Sequence, residues 1–267
     1  TQDVMNALAG EANGILYTPL RSSQATGYRQ LISFDATGSQ CVTPRAPGGS
    51  FDRPNGSSRG REALTAAYQS GHPGWDRAEV GCSSTPQNVA GLIDFARSSS
   101  GVTSTTGELT YIPFGRDAVG YAYYAPAGVT PVTSLTNADL ATLHNTPNAV
   151  ITVGSTRVIA CRVQQGSGTF QFWNGRVGNP SQATLDAATA ECPVNPGING
   201  LQENDASALK AAGDAVNAAR PTPDTQVIIG FSAGNFISQK NGIAKSQFPT
   251  LSAGQVLDLG TIVHNGT

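Results

Sequence analysis

Apolar and polar residues alternate along this chain with two recurring spacings, and each spacing predicts a kind of element. Helical spacing is clearest from Ser57 to Tyr68, where Ala63, Leu64, Ala67 and Tyr68 recur on one side. At the start of the chain Val4, Met5 and Leu8 share a face, Thr1 is placed as an N-cap and Gly10 as a stop, which predicts a short helix. Thr136 with Asp139 three residues on has the form of a capping box and should open a helix through Leu143. A further helix is expected from Thr169 towards Trp173, with Phe170, Phe172 and Trp173 in its core. Asn204 to Ala219 is rich in Ala and Leu, strong helix formers; Asn204 and Asp205 are expected to cap it, and Pro221 and Pro223 to end it. Asn235 to Gln239 predicts a last short helix.

Short apolar runs predict strands at residues 14–17, 30–34, 91–96, 109–114, 118–123, 149–153, 156–160 and 226–229. Tyr121 and Tyr123 flank Ala122 as they would on a half-buried strand, with Tyr124 on the opposite face. Residues 44–56 are Pro/Gly/Arg-rich loop, and 69–88 an irregular excursion around Cys82 in which Trp75 plugs the core. Helices alternating with strands give an α/β class with mixed sheets.

The chain has 267 residues, a net charge of −2 and 13% charged residues, too few for a coiled coil and without the basic stripe that nucleic-acid binding needs. Apolar periodic segments recur throughout, which argues against disorder. No apolar run approaches the roughly 20 residues of a membrane helix. No signal peptide is visible, and the expectation is that a leader or lipid-anchor segment once preceded Thr1. The four cysteines, Cys41, Cys82, Cys161 and Cys192, form no C-x-x-C pair, and His72, His144 and His264 are scattered, so neither a metal nor a cofactor is expected. An even count in a Ser/Thr/Gly-rich chain points to an oxidising compartment. Of three possible pairings, Cys41–Cys82 and Cys161–Cys192 join neighbours in sequence. Each would close a loop of roughly 30–40 residues and contribute on the order of 3–4 kcal/mol.

One local pattern recurs. Arg53-Pro54-Asn55-Gly56-Ser57-Ser58-Arg59-Gly60 precedes a helix, Arg97-Ser98-Ser99-Ser100-Gly101 follows an expected strand, and Gly166-Ser167-Gly168-Thr169, downstream of Arg162, opens a helix after another. Glycine admits close approach to the backbone, hydroxyls donate hydrogen bonds, and a helix N-terminus carries unpaired amides and partial positive charge. Such turns hold anions. No G-x-x-x-x-G-K-[ST] motif is present, so a small tetrahedral oxyanion fits better than a nucleotide.

At these turns, and at Leu135–Leu140, Gln202–Asp205 and Phe231–Asn241, the chain resembles the PstS-like phosphate-binding proteins of bacterial ABC importers, in particular the actinobacterial extracellular type. The likeness runs over nearly the whole chain. It implies a two-lobed periplasmic-binding-protein fold of type 2, with mixed sheets, flanking helices and two hinge crossings, near 115–124 and 227–232. Lobe one would be residues 1–120 with 230–267, and lobe two 121–229. It implies a bound phosphate held by Thr1, Ser57, Ser58, Arg97, Ser98, Ser99, Arg162, Ser167, Gly168 and Thr169, without catalysis. It further implies a secreted or envelope-anchored monomer that serves a membrane permease and binds no nucleic acid. The family's best-known members carry an Asp where Ser99 stands, and Arg162 lies one residue further from Ser167 than the family spacing.

Two other classes fit particular residues. Gly230-Phe231-Ser232-Ala233-Gly234 matches G-x-S-x-G, with Asp258 and His264 following in the order of a serine hydrolase triad. A helix cap at Ser232 is the simpler account of that segment. The Ser at position 99 also fits a cell-surface interaction protein that has kept the fold and lost transport.

Overall fold

The computed structural model describes residues 41–42, 51–54, 56–75, 86–99, 101, 107–194, 199–243 and 248–264. The helix expected at residues 1–9 and the strands expected at 14–17 and 30–34 lie outside the described residues. The chain divides into two compact units, residues 1–112 and 113–267.

In the first unit β1 (Cys41–Val42) pairs antiparallel with β2 (Phe51–Asp52), and α1 (Ser57–Tyr68) has the bounds its spacing predicts. Gly56 precedes α1 with a φ of 103°, a conformation that residues with a Cβ rarely adopt. Short side chains at Ala63, Ala66 and Ala67 let α1 pack closely on Phe51, Trp75, Val89 and Ile93. Trp75 is a core plug: its indole N–H donates to the Asp52 carbonyl at 2.7 Å, and its backbone bridges Gln87. Two expected strands are absent. After a turn in which the Leu92 amide donates to the Val89 carbonyl, residues 93–98 run without ladder partners, Asp94 and Phe95 exposed. Residues 109–114 are likewise irregular, with Ile112 84% and Phe114 74% exposed. An apolar run becomes a strand only against an edge that accepts its hydrogen bonds, and Pro113 also lacks a donor.

The second unit is built on a five-stranded sheet. Its members are β3 (Val119–Ala125), β5 (Ile151–Val153), β6 (Thr156–Ala160), β7 (Thr225–Ser232) and β8 (Val256–Leu259), in the order β5-β6-β7-β3-β8. The β6–β7 pair is parallel and the others antiparallel, so the sheet is mixed. Its helices are α2 (Asn137–Asn145), α3 (Gly168–Arg176), α4 (Gln182–Ala188), α5 (Ala206–Ala218) and α6 (Ala233–Lys240), and β4 (Ser134–Thr136) pairs parallel with β9 (Thr261–Val263). The capping box at Thr136 and Asp139 forms as the sequence implies, and Asp205 caps α5. Tyr121 to Ala125 are all buried, so β3 is covered on both faces rather than half-buried. Glycines permit that cover: a Cβ on Gly213 of α5 would lie 2.4 Å from the Tyr124 ring, and one on Gly230 of β7 would lie 2.5 Å from the Trp173 indole.

The lobe boundaries expected at 120/121 and 229/230 fall inside β3 and β7, which pair with each other from Val119↔Ser232 to Tyr124↔Val227. β8, from the segment assigned to lobe one, joins the same sheet, and the units divide at 112/113. Cys161 and Cys192 form the expected disulfide, anchoring the end of β6 to the segment after α4. Cys41 is also disulfide-bonded, and Cys82 lies outside the described residues. Among the described residues no helix is long and apolar enough to cross a membrane, and no group of three His, Cys, Asp or Glu side chains gathers as metal ligands would.

Candidate functional site

The third serine turn has the most complete geometry. Beyond β6 the chain runs on beside residue 201: the Leu201 amide donates to the Arg162 carbonyl at 2.8 Å, and the Gln164 amide to the Leu201 carbonyl at 2.8 Å. Gly200 makes this approach possible, because a Cβ there would come within 2.7 Å of the Val163 backbone. Gly166, with a φ of 83°, turns the chain into α3. Ser167 is the N-cap: its Oγ accepts from the Phe170 amide at 2.8 Å, and its carbonyl accepts from the Gln171 amide at 3.3 Å. The amides of Gly168 and Thr169 are then the first-turn donors without an intrahelical acceptor. This turn is covered rather than splayed into water, with Ser167 1% and Thr169 5% exposed. A buried first turn with open donors at the positive end of a helix is electrostatically suited to an anion.

Glu203 reaches the same turn. Its carboxyl lies beside the Ser167 hydroxyl, and one of its oxygens, Oε2, is buried without a protein partner. Burial pushes the Glu203 carboxyl up to about 7, against the downward pull of its own amide and of Ser167. Arg162, 3% exposed, sends Nε to the Asn199 carbonyl at 2.9 Å and pairs through Nη1 with Asp186 of α4. Burial lowers its pKa. Rather than standing as a free cation for a ligand, Arg162 is drawn to Asp186 and to the loop that leads into Glu203.

In the first unit the other two serine turns meet, across 42 residues of sequence. Ser57 Oγ accepts from the Ser99 amide at 3.1 Å and lies 3.2 Å from Ser99 Oγ. Ser57 is buried at the first position of α1, while Ser58 Oγ accepts from Arg61 at 3.4 Å. Arg97 is half-buried and Ser98 exposed. Along the outer face of α1 lies an open cavity of about 510 Å³, lined by Ser58, Arg61, Thr65, His72, Trp75 and Tyr111. Thr1 lies outside the described residues.

The G-x-S-x-G segment is a strand-to-helix turn in which Ser232 caps α6, accepting from the Asn235 amide at 3.1 Å and donating to Asp117. Asp117 also accepts from the Gly234 amide at 3.0 Å. Asp258 pairs with Lys240 at 2.7 Å, and His264 lies 2.9 Å from the Asn137 amide group. Each member of the supposed triad is thus held by a different residue.

Glu203, Asp186 and Asp117 escaped sequence reasoning. The signal for Glu203 was an acidic residue between buried Leu201 and the Asp205 cap. Its burial follows from the pairing of residues 162–164 with 201, which periodicity does not express.

The fold and the site define a mixed α/β chain whose second unit buries an open helix N-terminus beside a carboxyl group. Neither the family models nor the curated proteins nor the solved structures contain a match to it.

Proposed function

We propose that this chain is an extracellular solute-binding protein of the PstS-like kind, with a two-lobed type 2 architecture. It would hold phosphate or a similar tetrahedral oxyanion for a membrane permease and do no chemistry on it. One observation carries the reading: the covered first turn of α3, where the Gly168 and Thr169 amides have no acceptor within the helix. Buried donors are normally satisfied, and an oxyanion supplies the acceptors that the protein does not. The Ser57–Ser99 contact supports it, since two turns singled out by the resemblance come together. The disulfide fits a secreted or envelope-anchored location.

Calorimetry with phosphate should give a saturable 1:1 isotherm. Thr169→Val keeps the shape of the side chain but removes the hydroxyl. Loss of one charge-assisted bond should weaken binding roughly ten- to a hundredfold. An isotherm unchanged by the substitution would remove α3 from the site.

The pairing of Arg162 with Asp186 favours a second reading, a surface interaction protein of the same fold without transport. Flat traces with phosphate, sulfate and arsenate would select it.

A further inference from the structure

We infer that anion capture at α3 is coupled to a proton through Glu203: the side chain meets the anion as a neutral carboxylic acid that donates a hydrogen bond, so above neutral pH the binding of a fully ionised oxyanion takes up one proton from solvent. This rests on the reading of α3 as an anion site.

The geometry makes the coupling. Glu203 and the open amides share Ser167, whose hydroxyl lies beside the carboxyl and whose Oγ caps the turn. Oε2 is dry and without a protein donor, so a charged carboxylate there is poorly solvated. Among the described residues no cation offsets it. Arg162 is paired with Asp186, Lys240 of α6 with Asp258, and Lys210 of α5 with Asp214. Arg176, at the far end of α3, lies over the Phe172 ring. Asp205, two residues on, accepts from the Ala208 amide and brings no positive charge.

Burial alone already lifts this carboxyl into the neutral range. An anion at the Gly168 and Thr169 amides adds a second negative charge to the same turn, and like charges sharing a site cannot both remain ionised. The proton that resolves the conflict comes from solvent and stays on a Glu203 oxygen. No bond to the anion is made or broken. Glu203 then becomes one more donor in a turn already rich in them, and the site favours fully ionised oxyanions, held at acid to neutral pH and released in alkali.

Sulfate is the probe, because it does not titrate in the range of interest. Its affinity should be nearly constant below about pH 6 and should fall about tenfold per pH unit once Glu203 must be protonated to bind. Calorimetry in buffers of different ionisation enthalpy at about pH 8.5 should show uptake approaching one proton per anion. Glu203→Gln, a permanent donor, should bind sulfate with an affinity independent of pH and with no proton uptake. Sulfate binding that is lost in Thr169→Val yet is independent of pH in the wild type would overturn the inference and leave the site standing. A pH dependence that persists in Glu203→Gln would do the same. No sulfate binding at any pH would overturn the inference, and sulfate binding unaffected by Thr169→Val would overturn both. Should Glu203→Gln fail to fold, proton uptake by the wild type still decides.

Discussion

Two buried titratable side chains in the second unit respond to pH in opposite ways. His144 is fully enclosed. Its Nδ1 lies 2.8 Å from the Leu140 carbonyl and its Nε2 accepts from the Trp173 indole at 3.1 Å. That arrangement needs the neutral ring with the proton on Nδ1, and burial lowers its pKa to about 4. The neutral ring is an advantage to the fold above the unfolded value near 6.5, and the advantage is lost as pH falls through 4. Glu203 has the reverse sign. Its folded pKa is raised from 4.5 to about 7, so the folded state holds a proton that the unfolded state has released. Its burial costs nothing below about pH 4.5, and the penalty is complete above about pH 7, at roughly 3 kcal/mol. Glu203→Gln should therefore raise the thermal midpoint by several degrees at about pH 8.5 and leave it nearly unchanged at about pH 4. Equal shifts at both pH values would show that Glu203 is not buried as described.

At the scale of elements, α3 depends on two close approaches. Gly230 lets the Trp173 indole lie against β7, and Gly200 lets residues 200–201 lie against 163–164. Gly230→Ala would drive a methyl group into an indole whose N–H is tied to His144. Overpacking of this kind costs roughly 1–3 kcal/mol. The urea midpoint should fall, and phosphate affinity with it, because α3 carries the anion turn. An unchanged midpoint would mean that β7 and α3 are not packed as described. The helices were the legible elements, because capping chemistry and spacing are local: Thr136 with Asp139, Asp205 and the alanines of α1 each announce themselves. Strands were less so. Residues 156–160 and 226–229 found partners, whereas 91–96 and 109–114, just as apolar, did not, and pairing is a property of the whole fold. The site was legible in its hydroxyl turns, but not in Arg162's partner Asp186 or in Glu203, which meet it only after the chain has folded back through residue 201.

For the whole molecule, each unit has a hydrophobic core of its own, one around α1 and Trp75 and one on the five-stranded sheet. The second unit carries the α3 turn, so the central claim can be tested there residue by residue. Backbone amide NMR of the full chain during a phosphate titration is the most direct measurement. The account predicts that the Gly168 and Thr169 amide resonances move furthest, saturating together at one phosphate per chain. Those two resonances staying in place while phosphate binds would contradict it.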